Sequence, residues 1–397
     1  MARPLAGLKV IEATSMITGP LAGQMLADMG ADIIKIERPD GGDPFRTFRD
    51  GAVSPYFQAY NRNKRSLALD IQSPIGKTVL KHLLAGADVF IENFRPGVMD
   101  RLGFGVDALR AANPALVYCS ISGFGRTGPY RDRPAYDAVA QAISGISSLF
   151  LDSDNPLISG PTIADNMTGI YACYGILAAL HERGRTGTGR WIDVNMLDSA
   201  LAFMPDAFAS YSLSGVVPGP FTRVAASQSY ALQCSDGKMI AIHMSSRQKF
   251  WEAVCKGFDR PELLIDPRFD SRSKRIDNYF MLKAELQVAA GRRTRAYWLG
   301  HLASCDVPHA AVNDLQEVFH DPQVKALDSF AEIAIDGDLR VSVPRRPVWI
   351  DGSRGDQPLT AATVLDADGE AIIAELGLTG EEIDQWRASK VAGSTSA

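Results

Sequence analysis

Asp165 stands at the head of a run of small residues, ADNMTGIYACYGILAALHERGRTGTG over 164–189, in which Gly169, Ala172, Gly175, Ala178 and Ala179 recur. The spacing predicts a helix with little bulk on one side, able to approach a neighbouring backbone closely, with Asp165 at its N-cap. A carboxylate there is within reach of free amides and of the positive end of the helix dipole. Such a group can serve as a cap or, in a dry site, as a nucleophile toward an activated carbonyl; residue type alone favours the cap. The surrounding segments change the balance. Lys35, Glu37, Arg38 and Arg46 follow one apolar run; Arg62, Lys64 and Arg65 border a second; Glu92, Asn93, Arg95 and Arg101 follow a third. Any one of these cations reads as a solvated rim. Three such clusters point to a phosphorylated ligand at one edge of a sheet.

Those clusters need a scaffold, and the first third of the chain alternates strand and helix patterns to provide one. KVIEAT (9–14), DIIKIER (32–38), SLALDI (66–71), DVFIENF (88–94) and LVYCSIS (116–122) read as buried strands; Pro20–Gly30 and 73–87 read as helices between them. Strands alternating with helices imply a Rossmann-like, doubly wound parallel sheet, which binds ligands beyond the carboxyl ends of its strands. The first turn, TSMITGPLAG (14–23), is not GxGxxG, yet it frees amides at a helix start. Helices follow around 136–146 and 165–184. The expected division is a large domain over 1–185, a connector rich in Gly, Ser and Pro over 186–221, and a smaller α+β domain over 222–322. A return linker over 323–345 and a C-terminal part over 346–397, packing on the large domain, complete it.

Composition narrows the function classes. The chain has 397 residues with a net charge of −5, which disfavours bulk nucleic-acid binding. Its five cysteines are scattered with no CxxC pair, so neither a disulfide framework nor a zinc site is expected, and no metal is assigned. The N-terminus lacks an apolar signal core. The longest apolar stretch, Gly169–Leu180, is too short to span a bilayer. The expectation is a soluble, cytoplasmic protein with no membrane or nucleic-acid partner.

Taken together, LADMGADIIKIERPDGGDPFR, NRNKRSLALD, ENFRPGVMDRLGF, YCSISGFGRTGPY, AYDAVAQAISG and the 164–189 string resemble the class III CoA-transferases, the formyl-CoA transferase or CaiB/BaiF family. The likeness is dense from residue 7 to about 200 and looser through DPRF (266–269). The resemblance implies an interlocked-ring homodimer acting on a coenzyme A thioester and a carboxylic acid, with CoA as substrate and no permanently bound cofactor. It makes Asp165 the catalytic aspartate, acylated through an anhydride and a CoA thioester. It also marks Met16, Ile17, Arg38, Leu67, Ala68, Leu69, Asp70, Asn93, Phe94, Arg95 and Arg101 as CoA-binding positions, although formyl-type members often carry Gln where Ile17 stands. Tyr136 and Asp137 match an Ala-Tyr-acidic string near the active site.

Two departures refine the expectation. The racemase branch carries a His before the helix at 136; here no His lies between His82 and His181, so half of a proton-transfer pair is missing. Formyl-type enzymes carry a glycine run after the first small-domain strand, where this chain reads IHMSSRQKFW (242–251). That string points to larger acids, such as C4–C5 dicarboxylates carried by succinyl-CoA, rather than formate or oxalate. His243, Ser245, Ser246 and Arg247 then either face the acyl group or cap the next helix. The alternatives to a transferase are an acyl-CoA racemase or epimerase on the same scaffold, and a non-catalytic CoA-binding paralogue.

Overall fold

Six strands form one parallel sheet: β1 (Lys9–Ala13), β2 (Asp32–Glu37), β3 (Lys64–Ala68), β4 (Val89–Glu92), β5 (Val117–Ser122) and β6 (Trp191–Asn195). The structure is a computed structural model and describes residues 3–48, 54–152, 154–355 and 358–393. The spatial order is β3-β2-β1-β4-β5-β6. Register follows the apolar runs, with Val10 opposite Ile33 and Ile11 opposite Phe90. The order reverses between β1 and β4, so the connections that follow these two strands leave in opposite directions and open a crevice at their carboxyl ends.

Alternation along the strands splits the core into two layers. Ile11, Ile34, Phe90 and Tyr118 face Val79, Leu80 and Leu83 of the Pro74–Ala85 helix, together with Ile372, Ile373 and Trp386 from near the C-terminus. Val10, Ile33, Val89 and Val117 face the other way, onto Ala22 and Leu26 of the Thr18–Ala27 helix and Ala172, Cys173 and Ile176 of the Ile163–Thr186 helix. All five cysteines are free thiols, and Cys119 and Cys173 are packing groups in this second layer.

The small residues of the Ile163–Thr186 helix do what their spacing predicts. A Cβ on Gly169 would sit 2.7 Å from the carbonyl oxygen of Thr18 and 2.9 Å from the Leu21 Cβ. The helix is longer than its apolar stretch suggested: its 24 residues make it long and apolar enough, by length and composition, to cross a membrane. In this fold it is a core helix, burying Thr168, Ala172, Cys173, Ile176 and Ala179.

Contacts divide the chain into two units: Met1–Ser147, Gly160–Pro205 and Ser329–Ala397 form one, Ser148–Ser159 and Asp206–Asp328 the other. The 186–221 stretch is therefore not simply a connector. It contains β6 and the helices Met196–Ala202 and Pro205–Ser214. Its glycines mark a tight turn: Gly187 has φ +69°, and a Cβ on Gly189 would lie 2.0 Å from the Leu116 oxygen. The expected return linker over 323–345 carries an antiparallel hairpin, β10 (Phe330–Asp336) and β11 (Leu339–Pro344). Within the second unit, β7 (Ser229–Gln233), β8 (Met239–His243) and β9 (His309–Ala311) make an antiparallel sheet. Its core gathers Tyr230, Ile240, Ile242, Trp251, Phe258 and Trp298.

Candidate active site

The crevice at the carboxyl ends of β1 and β4 is a cleft of about 720 Å³. One wall is the turn after β1, Ser15 to Thr18; a second is the segment after β4, Asn93 to Pro96. Ile121, Ser122 and Gly123 at the end of β5 supply the floor, and Arg131, Arg133 and Tyr136 a further side. Asp165 lines the same space. Thus the cleft brings together Met16, Ile17, Asn93, Phe94, Arg95, Tyr136 and Asp165, all singled out from the sequence. Gly123 is required there, since a Cβ would approach that of Ala135 to 2.3 Å.

Asp165 is not the N-cap. The helix runs Ile163–Thr186 with Thr162 at the cap, and Asp165 lies in the first turn. Its own backbone N–H donates to Asp137 Oδ1 at 3.1 Å. Asp137 is in turn held by the Gln141 side-chain amide, which also donates to the Pro161 carbonyl at 3.2 Å. Among the described residues, no hydrogen bond is donated to the Asp165 carboxylate. Burial, and then the Asp137 carboxylate, push the Asp165 carboxyl up to about 7. A half-buried carboxylate with no hydrogen-bond donor among the described residues, and made costly to ionise, is a strong base and nucleophile when charged. Tyr136, two-thirds exposed, is the residue preceding the Asp137–Ser144 helix, and no side-chain bond caps that helix.

The proposed CoA-binding positions separate into two groups. Arg95 is exposed on the cleft. Asn93 is fully engaged: its Oδ1 accepts the Ser15 N–H at 3.1 Å, and its Nδ2 donates to the Ser15 oxygen at 2.9 Å and Thr18 Oγ1 at 3.2 Å. It ties the two walls together. Arg101 is exposed on the Val98–Leu102 helix, and Arg38 is exposed and paired with Asp40; neither lines the cleft. Leu67, Ala68 and Leu69 are buried. Ala68 N–H donates to Asp366 Oδ1 at 2.9 Å and Leu69 N–H to the Glu37 oxygen at 2.8 Å, so of that string only Asp70 is exposed. The period-2 pattern that made this string a strand also claims its side chains for the core.

His243, Ser245, Ser246 and Arg247 belong to the second unit. His243 Nδ1 and Ser229 Oγ are 2.8 Å apart across the β7–β8 pair. Ser245 takes a left-handed conformation with φ +55°. Arg247 is the N-cap residue of the Gln248–Gly257 helix but forms no side-chain cap bond. Capping by side chains therefore does not explain this string.

Sequence reasoning missed the ions beneath the first wall. Lys35 Nζ lies 2.9 Å from Asp43 Oδ2 and 3.2 Å from Glu12 Oε1, and Lys64 Nζ lies 2.8 Å from Glu12 Oε2. Burial pulls the Lys35 ammonium down, but Glu12, Asp43 and Glu37 outweigh it and hold its pKa above the usual range. Lys64, buried with less compensation, falls to about 8. The sequence groups Lys35 and Lys64 with cations at the sheet edge, but both are buried ion-pair members. For Lys35 the signal available is position: it lies inside a strand pattern, where a charge must find a buried partner; Lys64 precedes the apolar run and carries no such signal. Glu92 is a second unexpected group. Its carboxylate accepts the Phe94 N–H at 2.8 Å and the Tyr118 hydroxyl at 3.1 Å, and burial raises it to about 7. Among the described residues, no group of three or more His, Cys, Asp or Glu is placed to hold a metal.

Comparison with known proteins shows the family. The model of CoA-transferase family III matches residues 5–368. The acetyl-CoA:oxalate CoA-transferase of Acetobacter aceti is 36% identical, covering 94% of this chain and 95% of its own. The human succinyl-CoA:glutarate CoA-transferase is 34% identical, covering 81% of this chain and 74% of its own. A crystal structure of a CaiB/BaiF family protein from Brucella suis superposes with a TM-score of 0.82 at 35% identity, over 95% of this chain and 100% of that one. The chain belongs to CoA-transferase family III and is a CoA-transferase.

Proposed function

We propose that this enzyme moves CoA from an acyl-CoA to a free carboxylic acid through covalent intermediates on Asp165. The Asp165 carboxylate attacks the thioester carbonyl and expels CoA thiolate, leaving a mixed anhydride. The thiolate then attacks the aspartyl carbonyl, releasing the donor acid and forming an Asp165–CoA thioester. The acceptor carboxylate attacks that thioester, expels the thiolate and forms a second anhydride. The thiolate returns to the acceptor acyl carbon, giving the new acyl-CoA and regenerating Asp165. One thioester is consumed and one is made, so no ATP is required.

The observation that carries this reading is the position of Asp165 on the cleft, with no hydrogen bond to its carboxylate among the described residues. Each tetrahedral step develops an oxyanion, which positioned amides stabilise. The Thr18–Ala27 helix starts on the cleft with no side-chain cap and no acid in its first turn, leaving its first amides for a ligand. Arg131 and Arg133 suit the second carboxylate of a dicarboxylic acid or the phosphates of CoA. The oxalate and glutarate relatives do not by themselves separate small from larger acids. The SSRQKFW string and the cleft arginines favour succinyl-CoA or another C4–C5 dicarboxylyl donor. The family resemblance further supports an interlocked homodimer.

The test is Asp165→Ala and Asp165→Asn, assayed by mass spectrometry with a panel of acyl-CoA donors and acid acceptors. Transfer falls by on the order of 10⁴-fold or more while CoA still binds. Incubation of wild type with succinyl-CoA and hydroxylamine marks Asp165 as a hydroxamate. An active wild type with no mark there defeats the covalent route.

A further inference from the structure

Among the cleft residues Met16 is conformationally unusual: its φ is +68°, a region costly for a side chain with a Cβ. Such a conformation persists only where the surroundings over-determine it. Here they do so from both sides. Asn93 grips Ser15 and Thr18, as described. On the other side the Met16 N–H lies 3.3 Å from each oxygen of the Asp43 carboxylate. Asp43 Oδ1 also accepts the Phe45 N–H at 2.9 Å, and Oδ2 is paired with Lys35. Lys35 donates as well to the Thr14 carbonyl at 2.9 Å and to Glu12. Asp43 and Lys35 are 3% and 1% exposed, so this chain of contacts is shielded from water and stiff.

We propose that Asp43 is a positioning residue for CoA transfer: its buried carboxylate, braced by Lys35, locks Met16 in the left-handed conformation and so presents the uncapped start of the Thr18–Ala27 helix to the cleft that Asp165 lines. The inference rests on that cleft being the transfer site. It concerns a group that touches neither substrate nor the reacting atoms, and it gives the buried ions beneath the wall a role beyond mutual neutralisation. Replacing Asp43 by Asn leaves a single carbonyl oxygen for two backbone N–H donors and sets an amide NH₂ against an ammonium.

Three variants test it, each assayed for kcat, KM for succinyl-CoA, Tm and the rate of hydroxamate formation on Asp165. Asp43→Asn is expected to lower kcat and the trapping rate together by about 10- to 100-fold. Asp43→Asn combined with Lys35→Met removes both charges; it restores Tm but not kcat, and it serves if the single variant fails to fold. Asp43→Asn combined with Met16→Gly, whose glycine adopts positive φ without strain, recovers at least about fivefold of the lost kcat. The inference is overturned if Asp43→Asn keeps wild-type kcat, if kcat follows Tm back in the charge-free pair, or if glycine at 16 rescues nothing. Failure of the underlying site reading looks different: wild type itself then forms no hydroxamate at Asp165.

Discussion

Asp165 and Asp137 make a pair whose members do different work. Asp137 is held by Gln141 and holds the backbone of Asp165; Asp165 keeps its carboxylate unclaimed. Because burial and Asp137 raise Asp165 to about 7, the proposed nucleophile is only partly ionised at neutral pH. The expected kcat/KM therefore rises with pH and levels off above about 7, and a pH profile of the free enzyme reads it directly. Asp137→Asn removes the neighbouring charge and moves this acid limb down by about half a unit to one unit. Stability runs the other way. A carboxyl raised in the folded state from its unfolded value of 3.8 disfavours folding as pH climbs from about 4 through 7. Asp165→Asn is thus more stable than wild type at pH 8, by roughly 2 kcal/mol after discounting for partial exposure. The gain shrinks toward pH 4, and paired melting curves at the two pH values check it. The family motif singles out Asp165, but not its place in the helix. The N-cap assignment failed because Thr162 and Ile163 begin the helix earlier, and only the Asp137 contact explains why Asp165 faces the cleft from the first turn.

At the scale of elements, the approach of the Ile163–Thr186 helix to the Thr18–Ala27 helix sets the width of the site, since both contribute to its walls. Gly169→Val drives a branched side chain into the Thr18 carbonyl and Leu21. It is expected to cost about 2–3 kcal/mol and to lower kcat more than the loss of folded protein explains, because the helix that carries Asp165 is displaced. Denaturant melts alongside kinetics on the folded fraction separate the two effects. The strands and most helices of the first unit were legible because buried parallel strands read as short apolar runs and because Ser73 and Gly86 bracket their helix. The edge strand β3 was placed two residues late. Its start, Lys64 and Arg65, looked like loop, and the partners that make those charges tolerable, Glu12 and Glu375 among them, are distant in sequence. The hairpin at 330–344 falls within the 323–345 stretch that the sequence assigns to a return linker.

At the scale of the molecule, the C-terminal segment closes the first unit's core from the far end of the chain. Trp386, fully buried, sits with Leu80 and Leu83, while Asp366 and Asp368 accept backbone N–H groups from β3 and so cover the sheet's edge. Trp386→Ala is expected to cost about 3–5 kcal/mol. It lowers the melting of the first unit while leaving amide exchange in the core around Trp251 and Phe258 unchanged, a contrast that hydrogen exchange can read unit by unit. By itself the sequence determined the doubly wound sheet and the family, and it singled out Asp165 as the residue to test, because these depend on local periodicity and on short motifs whose residues are neighbours in the chain. The tertiary structure alone decided which cations line the cleft and which are buried ions, that Leu67 to Leu69 belong to the core, and that Asp43 grips Met16. Those outcomes depend on electrostatic pairing and burial between residues tens to hundreds of positions apart, which no local pattern encodes.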